Sequence, residues 1–118
     1  MTIRKKVIGV LSAAAILFGT SAPCLAAEGL TATVTTTLAR GNFTYGNGGT
    51  VLEIRMRYYE KHPTTGDIQT DVVNNIRGDA YNTIAISRPV DAGYNYTSAT
   101  FWGYAGGDLK ATLSNVRP

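Results

Sequence analysis

The sequence predicts an all-β protein: a small antiparallel β-sandwich, immunoglobulin-like or jelly-roll-like, or a small barrel of six or seven strands, behind a cleaved signal peptide. Three observations carry that expectation. Apolar and polar residues alternate with period two along most of the chain, glycine-rich turns separate the alternating runs, and no stretch has the spacing of an amphipathic helix. Residues 1–26 read as a secretory signal and residues 27–118 as one β domain.

Arg4, Lys5 and Lys6 precede an apolar run over residues 7–18, and small residues then lead to Leu25-Ala26-Ala27-Glu28. A basic head, a short apolar middle and a small-residue exit describe an export signal. The run is shorter than the roughly 20 residues a helix needs to cross a bilayer, so no stable membrane insertion is expected. Cleavage after Ala26 places Cys24 and Ala26 at the two positions where the peptidase requires small residues. Cleavage after Ala27 puts Leu25 at one of them, which fits less well. Pro23 before Cys24 argues against a lipid-anchored start at that cysteine. The compact, Ala-rich signal is bacterial in style. The protein is therefore expected to be secreted, with no glycan on the sequons Asn42-Phe43-Thr44 and Asn95-Tyr96-Thr97.

Removing the signal changes the charge argument. The 118-residue chain has 11 Lys and Arg against 8 Asp and Glu, a net charge of +3. The excess is the basic head of the signal, so residues 27–118 are formally neutral. A basic isoelectric point then gives no reason to expect nucleic acid or an anionic lipid surface as partner. Cys24, the one cysteine, leaves too. A cysteine-free domain of this size must be held by its core and sheet hydrogen bonds, and thiol catalysis and cysteine metal sites are excluded.

The elements follow in order. Residues 31–38 alternate Ala32, Val34, Thr36 and Leu38 against a row of threonines, which predicts a half-buried strand. Gly41-Asn42 and Gly46-Asn47-Gly48-Gly49 read as punctuation, with Phe43 and Tyr45 in a short extra strand between them. Residues 50–60 give the plainest strand, with Leu52, Ile54, Met56 and Tyr58 on one face and Glu53, Arg55, Arg57 and Tyr59 on the other. Any helix burying the first set would drag charges in with it. Pro63-Thr64-Thr65-Gly66-Asp67 is a turn, and residues 68–76 return antiparallel. Arg77-Gly78-Asp79 turns again, residues 81–87 form a strand with Ile84 and Ile86 inward, and Pro89 closes it. Residues 94–104 and, after Gly106-Gly107, residues 109–116 complete the set.

The aromatic segment 94–104 is the first candidate site. As one unbroken strand it places Tyr94, Tyr96, Trp102 and Tyr104 on one face and Ala99 and Phe101 on the other. Such a face either stacks on a sugar or protein ligand or forms the core. Arg55 and Arg57 form a second candidate, an anion- or partner-docking strip, set against a solvated face paired with neighbours such as Asp71. Arg77-Gly78-Asp79 resembles the recognition tripeptide of integrin ligands, on residues that are also ordinary turn formers. Catalysis finds little support. His62 is the one histidine and sits on a turn, and no carboxylate spacing suggests a pair or a calcium loop. No cofactor or metal is implied.

These observations point to a secreted, non-catalytic binding or interaction module for an extracellular protein or glycan. A bacteriocin-like antimicrobial or toxin is the alternative. An inhibitor of an extracellular enzyme, acting through residues 61–67, and a subunit assembling through a sheet edge such as the uncharged 31–38 run come after it.

Overall fold

The computed structural model describes residues 24–27, 29–46, 49–78 and 81–118. Most of the export-signal reading, with Asn47, Gly48 and Asp79 of two expected turns, lies outside the described residues. The strands are β1 (Cys24–Ala27), β2 (Leu30–Val34), β3 (Leu38–Thr44), β4 (Leu52–Lys61), β5 (Ile68–Arg77), β6 (Thr83–Pro89), β7 (Asn95–Ala105) and β8 (Asp108–Val116). β1 is only four residues long and the other seven run from five to eleven. All pairings are antiparallel, in two sheets of order β1-β2-β3-β6 and β5-β4-β7-β8, and no helix occurs among the described residues.

β4 behaves as its alternation requires. Leu52, Ile54, Met56 and Tyr58 are buried and point at the facing sheet, while Glu53, Arg55, Arg57 and Tyr59 point away from it. Their partners are Leu30, Ala32, Val34, Ala39 and Phe43 from the first sheet, with Ile84 and Ile86 of β6. Ala99, Phe101, Ala111, Leu113 and Val116 complete the core from β7 and β8.

Two glycines set how closely the sheets approach. A Cβ on Gly41 of β3 would lie 2.7 Å from the Phe101 ring of β7, and one on Gly103 of β7 would lie 2.5 Å from the Phe43 ring of β3. Each strand thus offers a phenyl ring to the bare backbone of the other, so the two rings interleave at native packing density. Gly41 is therefore a core position inside β3, where the sequence suggested a break and a short separate strand around Phe43 and Tyr45.

The run over residues 31–38 is likewise two strands rather than one. β2 stops at Val34 and the chain reverses before Leu38. The Thr35 side chain decides this, because its Oγ1 accepts the N–H of Leu38 (2.9 Å) and of Thr37 (3.3 Å). The Thr35 N–H bonds to the Leu38 carbonyl at 2.8 Å, closing the hairpin. A threonine hydroxyl offering the backbone a local partner competes with strand continuation, and here it wins. β1 pairs along the other edge of β2, from Cys24 opposite Thr33 to Ala27 opposite Leu30. In the full chain the threonine-rich strand is therefore an interior strand of its sheet, whereas cleavage after Ala26 would remove three of the four residues of β1 and leave β2 at the edge.

Candidate functional site

The candidate site is the outer face of the β5-β4-β7-β8 sheet, and one irregularity in β7 creates it. Along β4, Tyr59 pairs with Ser98 but Glu60 pairs with Tyr96, so Thr97 is an extra residue in a bulge. Its hydroxyl donates to the Tyr59 carbonyl at 3.2 Å. An inserted residue flips the alternation on one side of it. Tyr96 therefore turns inward with Ala99 and Phe101, at 2% exposure, while Thr100, Trp102 and Tyr104 turn outward. The four-aromatic platform expected from an unbroken strand does not exist. Tyr96 is core, and Tyr94 precedes the strand.

What the bulge does assemble is a composite surface. Register sets Arg55 opposite Trp102, Glu53 opposite Tyr104 and Arg57 opposite Thr100. The two strips that the sequence suggested separately, Arg55 with Arg57 and Trp102 with Tyr104, thus share one sheet face. Trp102 and Tyr104 are half-buried there. Arg55 lies over the Tyr104 ring, 4.3 Å from guanidinium carbon to ring centroid, and binds Glu53 through Nε (2.7 Å) and Nη2 (3.3 Å). That guanidinium, and next Asn74 Nδ2 at 3.0 Å, hold the Glu53 carboxyl below the usual carboxylate range.

Asp71, expected as a partner for these arginines, faces the other side of the sheet opposite Tyr58. Arg57 is left with no carboxylate in ion-pair range among the described residues. It sits between Thr100 of β7 and Val72 of β5. The same face exposes Tyr59, Ile68, Val72, Ile76 and Leu109, at 37–67% of their accessible surface. Arg57 is thus a cation without a carboxylate partner among the described residues, beside Val72 and Tyr59.

A second cluster, missed in the sequence, closes one end of the two sheets. Glu60 continues the inward row of Leu52, Ile54, Met56 and Tyr58 and is fully buried. The signal was present, since Glu60 is two residues beyond Tyr58, but a charge at the end of an apolar row reads as the strand leaving the core. Arg88 of β6 reaches across with Nη1 to Glu60 (2.8 Å) and to the Tyr96 hydroxyl (2.8 Å), and with Nη2 to Asp91 (3.0 Å). Its guanidinium carbon lies 3.7 Å from the centroid of the Tyr58 ring. The Asp91 N–H (2.8 Å) and Gln69 (3.3 Å) also donate to Glu60. Burial works against the charge on Arg88, yet the hydrogen bonds with Glu60 and Tyr96 hold its pKa above the usual value. Burial also pushes the Tyr58 and Tyr96 hydroxyls up, with Arg88 opposing it. These groups satisfy one another and offer no open coordination, so the cluster acts as a clamp between sheets.

His62 joins the neighbouring turns at this end. Its Nδ1 accepts the N–H groups of Thr64 and Thr65, both at 3.2 Å, and its ring meets Tyr94 edge-on at 5.3 Å. The Tyr94 hydroxyl donates to Asp67 at 3.4 Å. The 61–67 segment is thus closed into a tight turn, with the Gly66 N–H on the His62 carbonyl, rather than projecting as an open loop. Of the integrin-like tripeptide, Arg77 stacks over Tyr81 at 4.2 Å, Gly78 is described, and Asp79 lies outside the described residues.

On the opposite outer face, Thr31, Thr33, Arg40, Asn42, Ala85 and Ser87 line a shallow hollow of about 400 Å³. Among the described residues, no three His, Cys, Asp or Glu side chains gather as metal ligands, and no helix is long and apolar enough to cross a membrane. The chain matches no protein-family model, no curated protein and no solved structure.

Proposed function

We propose that this is a secreted, non-catalytic binding module that docks an extracellular protein partner on the outer face of the β5-β4-β7-β8 sheet. The observation that carries the reading is the gathering of Trp102, Tyr104, Arg55 and unpaired Arg57 on one face with exposed Tyr59, Val72 and Ile76. Tryptophan, tyrosine and arginine are the residue types that dominate binding energy at protein interfaces. Contiguous exposed apolar surface marks such sites more than it marks solvated sheet. Aliphatic side chains along β5 favour a protein over a glycan, because sugars gain little from them. The open Arg57 calls for a partner that brings a carboxylate.

The test is retention from extracellular extracts by immobilised protein, using three variants. A polypeptide held by the wild type should be lost with Trp102→Ala and with Arg57→Glu but kept by Arg40→Glu, whose substitution lies on the other outer face. Retention that is indifferent to Trp102→Ala and Arg57→Glu overturns the reading. A glycan retained in place of a polypeptide, and lost on Trp102→Ala, replaces it with sugar recognition.

A further inference from the structure

The same sheet ends in an edge that nothing covers among the described residues. β5 is the outermost strand, ten residues long, and contains no proline and no lysine. The backbone pairing shows which of its groups are open. The His62 N–H bonds to the Asp67 carbonyl, and counting in twos along the register turns Gln69, Asp71, Val73, Asn75 and Arg77 toward β4. Ile68, Thr70, Val72, Asn74 and Ile76 then direct their N–H and C=O groups to the free edge. One local bond confirms this parity, since the Val72 N–H is held at 2.8 Å by the side chain of Asp71, its own neighbour, and not by β4.

We propose that β5 pairs antiparallel with β5 of a second copy, about a two-fold axis at Val72, to build one continuous eight-stranded sheet. The sequence of the edge is self-complementary about that residue. The axis sets Ile68 opposite Ile76, Thr70 opposite Asn74 and Val72 opposite Val72 of the second copy, so each exposed aliphatic meets another. On the inner face Gln69 meets Asn75, and one step past the strand Asp67 of each copy meets Arg77 of the other, an opposite-charge pair repeated at both ends. No other register joins all five edge-facing residues, and an isologous interface requires such self-matching. Ile68 and Ile76 are 67% and 57% exposed in the isolated chain, which leaves them available for it.

The last strand of the facing sheet, β6, packs against both β4 and β5. Asp71 is the local guard on the new interface. Its carboxylate occupies the central N–H, a bond that pairing exchanges for the Val72 carbonyl of the other copy. The assembly would present two Trp102–Arg57 surfaces side by side on one face, although the pairing does not depend on that docking reading.

Sedimentation and light scattering of the purified protein over a concentration series test this. The wild type should reach twice the chain mass. Thr70→Pro removes an edge-facing N–H that β4 does not use, and Val72→Lys sets two charges at the axis; each should return the monomer or weaken association at least tenfold. Asp71→Ala, which frees the central N–H, should tighten it. Circular dichroism confirms that each variant is folded. A wild type that stays monomeric up to millimolar concentration overturns the proposal. So does a dimer that resists Thr70→Pro but yields to Val72→Lys, because it would be held by the apolar face and not by the strand edge.

Discussion

Gly103→Ala isolates the contact that sets the spacing of the sheets. Elsewhere in a strand, alanine for glycine is a gain, because glycine loses more backbone freedom on folding, by roughly 0.5–1 kcal/mol. Here the added carbon would stand 2.5, 2.6 and 2.7 Å from three atoms of the Phe43 ring, where van der Waals contact needs more than 3.4 Å. Phe43 is fully buried and stacked on Tyr45 at 5.9 Å, so the ring has no free direction in which to move. Forcing one extra carbon into a packed core costs about 1–3 kcal/mol. Less the entropic gain, the variant should lose about 1–2 kcal/mol, which for a domain of this size lowers Tm by roughly 5–15 °C.

Urea unfolding followed by circular dichroism measures the loss, and Phe43→Leu supplies the control. Alone, Phe43→Leu should destabilise, but combined with Gly103→Ala it should cost less than the sum of the two, because the smaller side chain vacates the space the methyl needs. A Gly103→Ala protein as stable as the wild type, or more stable, would refute the interleaved packing, as would strict additivity in the double variant.

Arg88→Met should lower stability by about 3–5 kcal/mol in urea unfolding, because it leaves Glu60 buried without its cation, and adding Glu60→Leu should restore part of the loss. Thr35→Val should cost about 1 kcal/mol, measured in the same way, since the Thr37 and Leu38 N–H groups lose their side-chain acceptor while strand propensity is kept. At alkaline pH the protein should weaken through Tyr58 and Tyr96. Burial raises both pKa values above the usual tyrosine value of 10.0, so the unfolded chain ionises first. Their contribution is fully present below pH 10 and is lost as pH rises through the folded values. Thermal melts from neutral to strongly alkaline pH should show the decline, and Tyr96→Phe should make it shallower.

The all-β, two-sheet architecture and most strand positions were legible because alternation is a one-dimensional signal. Leu52 through Tyr58 declare their face without reference to any other strand, and Ile84 and Ile86 do the same. What escaped depends on a partner distant in the chain or on competition within a single residue. Thr35 is as good a strand former as its neighbours, and only the bond from its hydroxyl to the Leu38 N–H makes it a turn. Gly41 resembles a break until the Phe101 ring that occupies its missing side chain is known. Thr97 carries no mark of a bulge, yet it decides which of Tyr96 and Trp102 is buried. The candidate surface was visible as two separate strips, and only the β4–β7 register joins them.

The placement of Trp102 carries the whole account of the site, and tryptophan fluorescence reads it directly because the chain has a single tryptophan. With Trp102 on the outer face beside Arg55, its emission should be red-shifted relative to a core indole and readily quenched by iodide, an ion that the neighbouring arginines attract. Blue-shifted emission protected from iodide in the monomeric protein would place the indole in the core, reverse the register after Thr97 and remove the proposed binding surface.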